Sequence, residues 1–466
     1  MLLPSQDAMD RLRELVARVP TTAAERAASA EKLLTVDPTY TAAYLSLAIE
    51  RTAEGRFQEA EDLLWKGMLY RPLHFACYLN LAELRREQNP HDALPDHLVM
   101  TVLRHLASSP EIPKIAEEHF RAFLHDDSLN FADPDTYEVL LFDLESKERP
   151  EPAPADAERF LPFRVLAKLH WSGYQGDFPD ELTEEFAAHR EACVEVCTWA
   201  LRSWARYKDP MDDDALNAMV AMLGEFADAS LIEDLWAMPL EDQVYFNHLQ
   251  WALCRLDERF PAEALAYLRQ HATAASVPLR CAFSDHLNTM PRRPELGAAL
   301  SELLNGFESL GGESDAGYLL AAVSEGLADL GDPDQAAAEM EKYKPLLSAD
   351  NRKLLDDLSG SNEGFVPNLL RMNLKEPRLE QVLSGALDGD KGFEDESLED
   401  DDFEDDGLED EEEWDEEDLE DDLDWEPVQQ VIAPVRPGRN ESCWCGSGKK
   451  YKKCHLEDDE RKARGE

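Results

Sequence analysis

The sequence predicts an all-α protein: an irregular α-solenoid of helical hairpins to about residue 360, then an acidic disordered linker, then a small Cys/His-rich module. Three observations predict it. Apolar residues recur at helical spacing through the first 360 residues, while alternating β patterns are nearly absent. Asp37-Pro38 and Arg71-Pro72 punctuate the chain 34 residues apart. The C-terminal stretch reads Cys443-Trp-Cys445-Gly-Ser-Gly-Lys-Lys-Tyr-Lys-Lys-Cys454-His455, spaced C-x-C-x8-C-H.

The first hairpins lie between Thr41 and Pro72. Small Ala48, Ala60 and Gly67 let two antiparallel helices approach, while Tyr44, Phe57 and Leu64 fill the gaps between them. Gly55 suits the turn, and Pro72 ends the second helix because a proline cannot continue one. This pattern resembles a tetratricopeptide repeat, whose period is about 34 residues. The next unit, Tyr78, Ala82 and Arg85 onward, degenerates after Asn89-Pro90. We expect tetratricopeptide-like helices over residues 1–148.

A proline-rich break, Arg149-Pro-Glu-Pro-Ala-Pro154, precedes a second helical region expected over residues 155–360. Leu216, Met219, Val220 and Leu223 share one helix face, a Glu-Phe-Ala-Asp-Ala-Ser turn follows, and Leu231, Ile232, Leu235 and Trp236 begin another. Two short helices around such a turn resemble a HEAT-type repeat. Tyr245, Leu249, Ala252, Leu253 and Leu256 continue the stack, and Tyr318 to Leu347, with Ala321, Glu325, Ala328, Gly331, Ala336 and Pro345, again resembles a tetratricopeptide hairpin. Trp199, Trp204, Trp236 and Trp251 fit a helical core better than a binding groove. Residues 361–393 read as a short helical or irregular connector.

The linker is expected over residues 394–432. From Glu394 to Glu426 there are 24 acidic residues and no Lys or Arg, a density at which like charges repel and too little apolar surface remains to offset ordering entropy. Phe393, Phe403, Leu408, Trp414, Leu419, Leu423 and Trp425 punctuate it, as in acidic-hydrophobic interaction tails. A solvating spacer is the simpler reading. The run can also fold back on the lysines that follow and mask them.

The module over residues 436–466 reads as a zinc knuckle. Tetrahedral zinc takes four soft or borderline ligands, and two short ligand pairs around a small loop supply them. Gly446 and Gly448 allow that loop to turn tightly, while Lys449, Lys450, Lys452 and Lys453 offset thiolate charge and lower the thiol pKa values. Four protein ligands leave no open position for water, so the metal is structural. Gly-Ser-Gly-Lys only mimics the end of a phosphate-binding loop, which needs glycine where Cys443 stands and a hydroxyl where Lys450 stands.

From Arg439-Asn440 onward the run resembles the SEC-C motif, the zinc-binding tail of the translocase motor SecA that also occurs on many otherwise unrelated bacterial proteins. One departure is Leu456, where that family usually has glycine; it bears on the exit from the site and not on its ligands. The resemblance covers about the last thirty residues. It implies Zn2+ bound by Cys443, Cys445, Cys454 and His455, and a partner-binding surface formed by Lys449, Lys450, Tyr451, Lys452 and Lys453. In SecA the corresponding tail engages an export chaperone and is associated with ribosome and acidic-lipid contacts, so the resemblance implies partners among chaperone, ribosome or export machinery.

Composition narrows the remaining classes. With 99 acidic against 46 basic residues and a net charge of −53, most of this surface repels nucleic acid and anionic membranes. Cys77, Cys193, Cys197, Cys254 and Cys281 lie scattered in apolar helical segments, which with a zinc site indicates a reducing compartment. Cys193 and Cys197, four apart, fit core packing better than a second metal or redox pair. The start lacks a basic region followed by a long apolar core, no stretch is long enough to span a bilayer, and a cytoplasmic location is expected. His170-Trp171 with Tyr174 has no partnered nucleophile, and H-E-x-x-H, G-x-S-x-G and dinucleotide glycine patterns do not occur. The expectation is a non-enzymatic zinc-binding adaptor. The alternative is a ribosome- or nucleic-acid-associated factor using the basic tail, weakly, with Tyr451 stacking on a base. An enzyme within residues 155–360 would instead show a cleft of strongly perturbed titratable groups.

Overall fold

Several helices begin or end on a local signal: the Thr22, Asp212 and Asp332 side chains cap helix N-termini, and Gly55 follows a helix end at positive φ. The computed structural model describes residues 11–109 and 135–360, with interruptions at 13, 17–19, 21, 148, 176–177, 208–210, 239–245, 291 and 294, and also Leu379 and Leu383. Among these residues every regular element is helical. They fall into two compact units that divide between Gly67 and Met68.

In the first unit, α1 (Ala23–Val36) opens on a capping box in which the Thr22 hydroxyl accepts from the Glu25 amide and the Glu25 carboxylate accepts from the Thr22 amide. It packs against α2 (Thr41–Ala53) through a core of Ala30, Leu33, Tyr40, Ala43 and Leu47. Buried Glu50 accepts from Arg26 Nε at 2.6 Å, tying the two helices by charge as well. Gly55, at φ +72°, then reverses the chain into α3 (Phe57–Tyr70), while the Arg56 amide reaches back to the Arg51 carbonyl at 2.8 Å. That bond closes a Schellman cap, which needs a left-handed residue where Gly55 stands.

Tyr44 shows why the 34-residue spacing matters. Its hydroxyl donates to the Pro38 carbonyl at 2.7 Å, and in the second unit Tyr78 donates to Pro72 at 2.8 Å. The same local bond therefore recurs 34 residues along, at the head of α2 and of α4 (Phe75–Gln88). In both cases it pins the Asp/Arg-Pro corner to the helix that follows.

The second unit continues with α5 (Leu94–Ala107), α6 (Asp135–Glu145), α7 (Pro154–Gln175), α8 (Asp180–Ala188), α9 (Arg190–Tyr207), α10 (Asp213–Phe226) and α11 (Leu231–Trp236). It goes on through α12 (Phe246–Arg259), α13 (Pro261–His271), α14 (Val277–Thr289), α15 (Glu295–Glu302), α16 (Phe307–Leu310), α17 (Ala316–Asp329), α18 (Pro333–Tyr343) and α19 (Ala349–Gly360). One series packs in succession: α5 on α7, α7 on α10, α10 on α12, α12 on α14, α14 on α17 and α17 on α19. The remaining helices flank it, as α8 and α9 flank α7, α13 flanks α12 and α18 flanks α17. The helices on either side of the proline-rich segment 149–154 also meet, since α5 packs against both α6 and α7 and Arg85 bonds Asp156 at 2.9 Å.

Side-chain bonds between neighbouring hairpins have a narrow range of sequence separations. Arg202 to Asp234 spans 32 residues, Arg269 to Glu302 33, Asn288 to the Ala322 carbonyl 34, Gln335 to Ser301 34, and Asp257 to Arg293 36. The chain thus returns to the same level about once per hairpin. Along α14 and α17 the partners rise together: Cys281 with the Asp315 carbonyl, Asp285 with Tyr318, Asn288 with Ala322. The two helices therefore run in the same direction, as equivalent helices of successive hairpins must. Close crossings need glycine: a Cβ on Gly224 would lie 2.6 Å from the Ala252 Cα, so α10 and α12 touch backbone to backbone.

Candidate functional site

The predicted ligands Cys443, Cys445, Cys454 and His455 and the predicted partner surface Lys449, Lys450, Tyr451, Lys452 and Lys453 lie outside the described residues, as does the acidic run. Their chemistry rests on the donor set. Three thiolates and one imidazole fit tetrahedral zinc, and glycines between the pairs fit a tight loop around it.

The described helices hold no competing metal centre. Among the described residues no three His, Cys, Asp or Glu side chains come together as a metal site would need. Cys77, Cys193, Cys197 and Cys281 are buried free thiols. Burial pushes Cys77 and Cys193 up to about 12 and raises Cys197 well above the ordinary thiol value, so as free residues they stay protonated. Cys193 and Cys197 are both fully buried on α9, as core packing requires.

The tryptophans divide in the same direction. Trp204, Trp236 and Trp251 are buried, with Trp236 edge-on to Phe283 at 4.7 Å between centroids. Trp199 is half-buried, edge-on to Tyr70 and covered by the Arg202 guanidinium at 4.7 Å. Arg202 in turn grips buried Asp234 through Nε and Nη2.

Two polar features had no signal in the sequence. His170 meets His105, 65 residues earlier, with their Nδ1 atoms 2.9 Å apart across α5 and α7. Burial holds His170 down to about 3 and His105 well below the usual imidazole range, and the neighbouring His170 and Arg104 add to the latter. Both rings are therefore neutral, one Nδ1–H donating to the other ring, and neither Nε2 has a partner. The second feature is Asp285, which accepts from the Tyr318 hydroxyl at 3.1 and 3.0 Å between α14 and α17. Asp285 and Tyr318 are separated by one hairpin length, 33 residues, and His105 and His170 by 65, but helical periodicity does not say which side chains of different helices meet; only their packing joins these pairs.

Comparison with known proteins places the C-terminal segment. Residues 439–457 match the model of the SEC-C motif. Similar stretches belong to protein translocase subunit SecA of Pelodictyon phaeoclathratiforme, 66% identical over 29 residues, covering 6% of this chain and 3% of that protein. SecA of Solibacter usitatus is 70% identical over 27 residues, 6% and 3%, and SecA of Pseudomonas putida 62% over 32 residues, 6% and 4%. This chain thus spans only about 3–4% of the length of the curated relatives it matches. No solved structure matches it. No helix among the described residues is long and apolar enough to cross a membrane. What the comparisons establish is a SEC-C motif, the kind of segment that typically binds zinc, joined to an all-helical region and similar to SecA over that short stretch.

Proposed function

We propose that this chain is a non-enzymatic adaptor of the cytoplasm, with an α-solenoid of tetratricopeptide- and HEAT-like hairpins that binds one partner and a tethered SEC-C zinc knuckle that binds another. The match over residues 439–457 is the observation that carries the reading. In it, Cys443, Cys445, Cys454 and His455 hold structural zinc, and Lys449, Lys450, Tyr451, Lys452 and Lys453 present the contact surface. Bound zinc supplies folding energy to a segment too short to build a core of its own.

The scaffold half of the proposal is supported by the recurring Tyr44 and Tyr78 bonds, the Gly55 turn and the inter-hairpin bonds 32 to 36 residues apart. Stacked hairpins of this period offer an extended surface to a partner, and a tether makes a second contact effectively intramolecular. The SecA likeness directs the knuckle toward chaperone, ribosome or export machinery. The acidic run between scaffold and knuckle has the charge to cover the lysines until a partner competes.

Affinity capture from cytosol with the intact chain and with Cys445→Ser tests the reading. Loss of export, chaperone or ribosomal proteins in the variant supports it; an unchanged set of partners transfers recognition to the helices and overturns the role of the knuckle. The alternative, RNA binding through the basic tail, predicts affinity that falls by about 0.7 logarithmic units per tenfold rise in salt for each phosphate contacted on a single strand. An affinity insensitive to salt removes it.

A further inference from the structure

Carboxylates removed from water need a compensating cation, and this protein supplies one at three buried positions. Glu50 has Arg26, Asp234 has Arg202, and Asp257 receives Arg293 on both oxygens at 2.8 Å. Asp285 differs. It is half-buried on α14, its carboxylate accepts only from the phenol of Tyr318 on α17, and no cation among the described residues lies within ion-pair distance.

The described surroundings supply no compensating cation. The Cys281 thiol, kept neutral by burial, lies one turn before Asp285 on the same face, Asp315 stands at the head of α17, and the Tyr318 phenol is raised by burial first, then by Asp285, with Glu325 adding least. Burial pushes the Asp285 carboxyl up to about 7, against which the Tyr318 hydrogen bond acts only in part. A carboxylate left in this position is destabilising unless something complements it, and the phenol that orients it does not cancel its charge.

We propose that Asp285, oriented by Tyr318, is the receptor for a lysine or arginine side chain of a partner protein segment laid along α14 and α17. The arriving cation would complete the pattern that Arg202 and Arg293 set inside the protein. Charge decides among the occupants. A second copy brings a net charge of −53 and is repelled. The chain's own lysines at 449–453 lie some 165 residues from Asp285 but about 25 from the end of the acidic run, which competes for them at far higher local concentration. A basic segment from another protein remains. The proposal rests on reading the helices as a partner-binding scaffold and gives that partner its chemistry.

The test is selection of peptides from a random octapeptide library by the full chain, followed by affinity measurement of a selected peptide. Selected sequences should share a Lys or Arg at one position, and Asp285→Asn should bind the peptide about tenfold or more weakly, because a charge pair within a partly desolvated site is lost. The asparagine keeps an acceptor for Tyr318 and removes the buried charge, so the thermal midpoint should hold or rise. If that variant does not fold, Tyr318→Phe removes the orienting bond while leaving the ring, and should also weaken binding. Peptides without a shared cation, or equal affinity in a folded variant, overturn the proposal. Enrichment that appears only after Lys449, Lys450, Lys452 and Lys453 are all changed to Gln makes the chain's own tail the occupant and overturns the partner. Failure here leaves the zinc knuckle reading standing, because Cys445→Ser reads that independently.

Discussion

His105 and His170 share one hydrogen bond across α5 and α7, Nδ1 to Nδ1 at 2.9 Å, and each is left with a buried Nε2 that bonds to nothing. One bare nitrogen is a donor and the other an acceptor, so the pair is only half satisfied. Each orphan costs about 1–3 kcal/mol relative to a hydrated one. Replacing both rings with leucine should therefore cost less than replacing either alone, as a double-mutant cycle by urea denaturation would show.

The same pair makes the protein acid-labile. Burial depresses the folded-state values, His170 to about 3, below the ordinary 6.5 of the unfolded chain. The unfolded state then binds protons first. Stability is full above pH 6.5 and falls, as pH drops toward the folded value, by about 1.4 kcal/mol per pH unit for each such histidine. His286, held down to about 4 by burial with Arg293 adding, acts in the same direction over a narrower window. Asp285 opposes them, since a folded value of about 7 means that the native state takes up its proton first and gains stability between pH 7 and 4. Urea midpoints from pH 7.5 to 5 should decline more shallowly in the His105/His170 double-leucine variant and more steeply in Asp285→Asn.

Arg293→Ala should be among the costlier single substitutions. Asp257 is 1% exposed, and Arg293 occupies both its oxygens from a position 36 residues away. Removing the guanidinium strands the carboxylate, at about 3–5 kcal/mol for a buried pair, lessened here because the Arg293 side chain is itself 19% exposed. Chemical denaturation should report a lower midpoint with an unchanged slope.

Two glycines should differ in kind. Gly224→Ala drives a methyl into the Ala252 backbone, where helices α10 and α12 must separate, for about 1–3 kcal/mol or more. Gly55→Ala meets open space and costs only the left-handed backbone penalty of about 1–2 kcal/mol. Thermal unfolding should rank Gly224→Ala the lower, and equal midpoints would contradict the close crossing.

Thiol reactivity separates the cysteines. Cys77, Cys193, Cys197 and Cys281 are buried with raised pKa values, so native protein should show them unreactive to a thiol reagent until denatured. A chelator should expose Cys443, Cys445 and Cys454 to the same reagent while the far-ultraviolet helix signal persists. Early reaction of the helical cysteines would show that their burial is not maintained.

Much of the helical organisation is legible without coordinates because it depends on local rules. The left-handed turn at Gly55, the corner at Pro38 and Pro72 with its tyrosine six residues on, and the hairpin reversal at Gly331 with φ +90° each involve residues a few positions apart. The apolar faces of α10 and α11 follow from helical periodicity in the same way, but α10 runs on through Glu225 and Phe226, so the turn read over Glu-Phe-Ala-Asp-Ala-Ser is confined to its last four residues. The Cys/His spacing of residues 443–455 is equally local, which is why a span of 19 residues suffices to match the SEC-C motif.

What the sequence by itself determined was therefore everything set by short-range geometry: helix, turn, repeat length, acidic run and ligand spacing. Tertiary structure alone decided which distant polar groups meet. His105 and His170 are 65 residues apart, and Asp285 meets Tyr318 and not an arginine only because α14 and α17 run side by side in the same direction. Nothing in either helix's own periodicity encodes that register. It is settled when the interior packs, and with it which carboxylates find a cation within the chain.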